Sequence, residues 1–232
     1  MKIKHLAACL PLVSAALLLV VAAASWIGNI YGFGVRNLFS ADGIRWEVTN
    51  FIANMQEAPF AVIFISLIAL SVVARSGLLQ ALLQTFRRKA PLKQRRALSL
   101  VVAVLILILV IIALLLIPSG AVLRSSFGTI TQSPFTRGLF GLSALTCIIC
   151  GNVFGVMAGH FASLHDTLRA HTHLLFQCPC SIVSMLVTAQ LCAAATYSGI
   201  VPDSPFACNA IAALLYCLPF VIELAAAIRT KR

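Results

Sequence analysis

Glu223 is the acid of this chain that stands inside an apolar run. An ionisable group so placed is a functional candidate by default, because burying it is costly unless it is paired or wetted. Two readings are open. It can bind a proton or a cation as a working group, or it can sit near the end of its run and reach interfacial water or Arg229. The second is the ordinary behaviour of a charge within two turns of a basic terminus. Arg75 poses the same choice: it can pair with the carboxylate of an anionic solute, or snorkel from the end of its apolar stretch. Gln190, with Ser184 and Thr188 a turn or two before it, offers neutral hydrogen-bonding groups, and residues 184 and 188 share a helix face. Such groups bind solute or tie helices together, and the tie is the commoner use.

His160, His165, His171 and His173 fall close to Cys178 and Cys180. His-x-His and Cys-x-Cys pairs point to different sides of a helix, and zinc sites use wider spacings. Cys147 and Cys150 have a suitable spacing but no nearby partner, so no metal site is expected. Asp166 and Arg169 make a surface pair at i, i+3. Gly151, Gly155 and Gly159 form a small-residue ridge along one helix face, which allows close approach of another helix within the protein or in a dimer. The chain carries no Walker loop, no Ser-His-Asp order and no HExxH, so neither enzymatic activity nor a cofactor is expected.

The elements that must position these residues follow from composition. Of 232 residues, 61% are hydrophobic and only 10% charged. A soluble domain carries about 25% charged residues, and one core of this size cannot hide so much apolar surface. The expected partner is therefore the lipid bilayer. The formal charge of +11 raises nucleic acid as an alternative. The cations, however, lie in short patches between apolar runs, with no basic stripe interleaved with aromatics, so no nucleic acid is expected. Eight cysteines lie mostly inside the apolar runs, where a thiol acts as a small hydrophobe, and no structural disulfide is expected.

A spanning helix needs about 20 apolar residues. The expected fold is all-α and polytopic, a single transmembrane domain over 1–232 with about six spans near 6–27, 60–83, 97–117, 138–158, 174–196 and 206–228. The first run also resembles a signal peptide, with Ala22, Ala23 and Ala24 as small residues for cleavage. Its length, with Trp26 and Tyr31 as interfacial anchors, favours retention. Arg75 and Gly77 interrupt the second span, and Pro179 is expected to bend the start of the fifth. Ser40 can cap a helix over 41–57, in which Ile44, Val48, Phe51, Ile52 and Met55 make one apolar stripe. Arg45, Glu47, Asn50 and Asn54 lie opposite, with Trp46 beside the stripe, and the natural reading is a helix lying in the membrane interface.

Thirteen cations fall on one side of this alternation, among them Arg87, Arg88, Lys89, Lys93, Arg95 and Arg96 of a basic loop at 84–96. Only Arg36, Arg45, Arg124 and Arg137 fall on the other. By the positive-inside rule both termini are expected in the cytoplasm, with the interfacial helix on the outer, periplasmic face of the inner membrane.

The stretches NLFSADGIRW and APFAVIFISLIALSVVARSGLL, then LLLIPSGAVLRSSFGTITQSPFTRGLFGL, VFGVMAGHFASLHD and VTAQLCAAATYSGI, resemble the AbgT family of p-aminobenzoyl-glutamate transporters in order and spacing. Gln190 matches a glutamine of that pattern. The resemblance implies secondary, ion-driven transport of a folate catabolite or a similar small anionic aromatic amide. It also implies a chain about twice as long, with two re-entrant hairpins whose Asn- and Asp-rich coupling motif has no counterpart here. A complete path would then call on a homo-oligomer or a partner membrane subunit. The rival reading is a relic, scaffold or regulatory subunit that keeps the framework without transport. The substrate and ion candidates remain Glu223, Arg75 and Gln190.

Overall fold

In lipid each backbone N–H and C=O must be satisfied within the protein, which makes helices of the long apolar runs. A computed structural model of the chain describes residues 2–87, 91–118, 123, 133–201 and 205–230. These form α1 (Lys2–Ile30), α2 (Ala41–Glu57), α3 (Phe60–Ser76), α4 (Leu78–Phe86), α5 (Leu92–Leu116), α6 (Pro134–Ala158), α7 (Leu164–Gln177), α8 (Pro179–Ser198) and α9 (Pro205–Thr230). Arg88, Lys89, Arg124, the proline at 202, Lys231 and Arg232 lie outside the described residues.

Five stretches of the described residues are long and apolar enough to cross a membrane: Cys9–Ile30, Ala41–Ser76, Leu92–Leu116, Pro134–Ala158 and Pro179–Ser198. The sixth, expected near 206–228, falls in α9, whose apolar run Ala210–Ala226 is shorter. Their outer surfaces fit lipid. In α5, Ile106, Leu107, Leu109, Val110, Ile111 and Leu114 are all exposed, and only Ala97 and Val101 are buried. The protein is an all-helical, multi-pass membrane protein.

Several boundaries depart from the sequence reading, each for a local reason. The span expected over 60–83 is two helices, because Gly77 takes a left-handed conformation (φ 76°) and ends α3 at Ser76. Between the spans expected near 138–158 and 174–196 the chain forms α7, which runs into the second of them. Pro179 starts α8 rather than bending it: it occupies the first turn, where its missing N–H has no partner to lose. Ser133 caps α6 through a reciprocal box with Thr136, so that helix begins before Gly138.

The chain folds as two compact units, Met1–Phe60 with Phe176–Arg232, and Ala61–Leu175. In the second, α5 packs on α6 and α4 on both, around Ala81, Ala97, Val101, Cys150 and Phe154. Buried Ser71 of α3 donates its hydroxyl to the Ala170 carbonyl and accepts the Leu174 N–H at 3.1 Å, which fixes α3 to α7. His171 Nδ1 donates to the Thr167 carbonyl at 2.7 Å, leaving Nε2 to accept from the Asn152 amide of α6 at 3.3 Å. His160 Nδ1 donates to the Ser76 carbonyl, at the break between α3 and α4.

The glycine ridge divides into three separate uses. A Cβ on Gly151 would stand 2.8 Å from Val72 Cγ1, so this glycine lets α3 approach α6. One on Gly155 would stand 2.3 Å from the Phe161 ring, which folds back over the end of its own helix. Gly159 is the left-handed cap of α6 and so stands past its last helical residue.

The first unit joins α1, α2, α8 and α9. α8 is its centre, packed against α1, α9 and α2. Ser40 accepts the Gly43 N–H at 3.1 Å and so caps α2, while Ser25 of α1 accepts the Leu38 N–H at 3.1 Å and ties down the linker before it.

Gly77→Ala is expected to lower stability by about 1–3 kcal/mol, since it adds left-handed strain to a Cβ held 2.7 Å from the His160 ring. Gly199→Ala has a similar φ of 77° but open space, and is expected to cost only about 1 kcal/mol. Thermal unfolding in detergent orders the two, and equal shifts would exclude the ring contact as a constraint.

A pH effect is expected at the start of α7. The Ser163 hydroxyl donates to Asp166 at 2.9 Å and its N–H at 3.1 Å, which holds the Asp166 carboxyl below its ordinary value. The depressed value means that the cap's contribution is present above the unfolded carboxyl's value and is lost as pH falls through the folded one. Amide exchange at Thr167 should distinguish the parent from Asp166→Asn near neutral pH, with the difference vanishing in acid.

Candidate functional site

α8 carries buried polar residues along its length, Ser181, Ser184, Thr188 and Gln190, and each is engaged within the first unit. At its start Cys178 offers no side-chain cap. Glu223 of α9 supplies one: its carboxylate accepts the Ser181 N–H at 2.9 Å, the Ser181 hydroxyl at 2.5 Å and the Cys180 N–H at 3.4 Å. Glu223 is only 7% exposed. It is a helix cap delivered from a neighbouring helix, where the positive end of the helix dipole favours an anion. The expected reach to interfacial water is therefore corrected: the carboxylate points inward. The side chain of Arg229 lies outside the described residues.

One turn on, the hydroxyls of Ser184 and Ser14 of α1 lie 3.0 Å apart. Thr188 donates to the Ser184 carbonyl at 2.8 Å, the backward bond typical of a hydroxyl inside a helix. Gln190 then binds α2 with both ends of its amide. Nε2 donates to the Phe51 carbonyl at 2.8 Å, and Oε1 accepts from Asn54 Nδ2 at 3.0 Å. The Phe51 carbonyl lies in the interior of α2, so Gln190 adds a second bond to a helix already formed. Arg75, in contrast, is exposed in the last turn of α3, in the other unit. Glu223 and Gln190 engage the start and the middle of α8 through separate partners, and Arg75 belongs to the other unit.

Beside Gln190 the helices α2, α8 and α9 enclose an open cleft of about 700 Å³. Arg36, Trp46, Asn50, Asn54, Tyr197 and Tyr216 line it among others. The rings of Trp46 and Tyr197 stack at 4.0 Å between centroids and 14° between planes. The Arg36 guanidinium carbon stands 5.4 Å from the centre of the Tyr197 ring. The backbone N–H of Arg36 donates to the Ser198 carbonyl at 3.0 Å, which satisfies one of the open carbonyls at the end of α8. An aromatic face, a cation and two carboxamides in one cleft can stack a planar group and hydrogen-bond or ion-pair with polar groups attached to it.

Sequence reasoning did not single out Arg36 or Tyr197, and set Trp46 merely beside an apolar stripe. A signal was present nonetheless. NLFSADGIRW ends on Trp46, and VTAQLCAAATYSGI contains Tyr197 near its end; two stretches that carry the family pattern meet at one ring stack. Among the described residues no group of three His, Cys, Asp or Glu is placed to hold a metal ion.

Helices of spanning length define a polytopic membrane protein, here with a polar cleft among three of its helices. Residues 87–203 match the AbgT putative transporter family, and the chain belongs to that family. No curated protein matches the sequence. Among solved structures the fold is similar to that of the Alcanivorax borkumensis YdaH transporter, whose crystal structure is described as having an unusual topology. The two share 17% identity and a TM-score of 0.73, over 82% of this chain and 71% of that one. At that identity the likeness speaks for the fold.

Removing the Glu223 carboxylate by Glu223→Leu leaves the first N–H groups of α8 without their acceptor, a loss of about 1–3 kcal/mol. Glu223→Gln keeps one acceptor oxygen and should cost less. Gln190→Leu, which leaves the Asn54 amide unpaired, belongs to the same range of about 1–3 kcal/mol. Thermal unfolding in detergent measures all three, and wild-type stability in Glu223→Leu would refute the cap.

Proposed function

We propose that this protein is a secondary carrier of the inner membrane, driven by an ion gradient, for p-aminobenzoyl-glutamate or a similar anionic aromatic amide. Both termini lie in the cytoplasm in this reading, which the thirteen-to-four distribution of cations supports. The observation that carries it is the cleft between α2, α8 and α9. It has room for a solute of this kind at about 700 Å³, a stacked aromatic wall in Trp46 and Tyr197, and carboxamides at Asn50 and Asn54. Family membership supplies transport as the activity. Further copies of the chain or a partner membrane subunit complete the path where one chain does not.

A second reading rests on a separate observation. Gln190 and Glu223, two of the polar residues inside the spans, have their hydrogen-bonding groups committed to helix contacts. That commitment suits a scaffold or regulatory membrane subunit that keeps the family's framework without moving solute.

Uptake of labelled p-aminobenzoyl-glutamate into proteoliposomes separates the two. The carrier reading expects gradient-dependent accumulation above that of empty vesicles. Glu223→Gln should remove the dependence on the gradient while the protein remains folded; an unchanged rate would discharge Glu223 from ion coupling. Absence of uptake by folded parent protein would leave the scaffold reading.

A further inference from the structure

We propose that Arg36 is the specificity-determining residue of the cleft, selecting solutes that bear a carboxylate. The inference rests on the carrier reading above and names the group that gives its site a preference in charge. Among the described residues that line the cleft Arg36 is the one cation, and none of them is an Asp or Glu. Glu47, the acid nearest to Trp46 in sequence, lines a different notch, with Leu18, Ala22 and Leu38. No described acid of the lining offsets the guanidinium on the face a solute would meet.

It is also held in place before any solute arrives. Its backbone is tied to Ser198 at 3.0 Å, its cation rests 5.4 Å from the centre of the Tyr197 ring, and that ring is backed by Trp46 at 4.0 Å. A ring beneath a guanidinium uses no N–H donor, so the fork of donors that fits a carboxylate stays available. Holding a long side chain in position beforehand reduces the ordering entropy lost on binding. Arg36 itself is exposed, which leaves it accessible from the mouth of the cleft.

The test measures binding of two labelled probes to the full-length protein in detergent: p-aminobenzoyl-glutamate and its uncharged dimethyl ester. The parent protein should prefer the diacid. Arg36→Gln should weaken diacid binding about ten- to a hundredfold, the usual worth of a charge-assisted pair, and leave ester binding unchanged. Arg36→Lys should recover part of the preference, as a point charge without the planar fork. The ratio of the two affinities is a readout that a merely structural role for Arg36 would not move. Equal affinity of the parent for both probes, or equal loss of both in Arg36→Gln, would overturn the assignment while the carrier reading stood. Failure of the folded parent to bind either probe would overturn both.

Discussion

Water is absent from the interior of a bilayer, so a polar group placed there must find its partner within the chain. That requirement organises the first unit around α8. A helix of 20 residues with five buried polar side chains would be unstable alone in lipid. Its neighbours supply much of what these need: Glu223 from α9 for the unsatisfied N–H groups at its start, Ser14 from α1 for Ser184, and Asn54 with the Phe51 carbonyl from α2 for Gln190. Each bond is modest, about 1 kcal/mol or less in a membrane. Their geometry nevertheless fixes the rotation of each neighbour about α8, which apolar packing alone would leave loosely defined.

The same bonds position the cleft. Gln190 holds α2 at Phe51 and Asn54, so Trp46, two turns earlier, comes to lie over Tyr197, two turns after Gln190. The linker between α1 and α2 is drawn in by Ser25 at Leu38 and by Ser198 at Arg36. At the other end of α8, about 24 Å along the axis at 1.5 Å per residue, Glu223 secures the start of the helix. A disturbance at Glu223 would therefore reach the cleft through movement of α8, or along α9 itself, whose Ala212, Ala213 and Tyr216 line it.

Local rules were enough to read part of this from the sequence. Ser40 before Ala-Asp-Gly is a capping residue wherever it occurs, and the spacing of Ile44, Val48 and Ile52 defines the outer stripe of α2. Gly77 was legible as an interruption, though not as a full stop, because the His160 ring that crowds it and bonds the Ser76 carbonyl lies more than 80 residues away in the chain. Pro179 was misplaced for a related reason: a proline bends a helix in its interior but opens one at its first turn, and hydropathy alone does not distinguish the two. Glu223 and Gln190 were visible as polar residues in oily surroundings. Their partners were not, since Ser181 and Asn54 lie 42 and 136 positions away and periodicity carries no information at that separation.

The orientation of α2 gives an argument for lipid that is independent of counting spans. An amphipathic helix on a water-soluble protein turns its apolar stripe inward. Here Ile44, Val48, Phe51 and Ile52 are exposed, whereas Asn54 is buried and Trp46 and Asn50 face the cleft. Such an inverted helix is stable only where its outward side meets an apolar medium, as at the surface of a membrane. The inversion also makes the site possible. With lipid taking the apolar stripe, the polar face of α2 is free to turn toward α8, and a hydrophilic cleft forms inside a chain that is hydrophobic almost everywhere else.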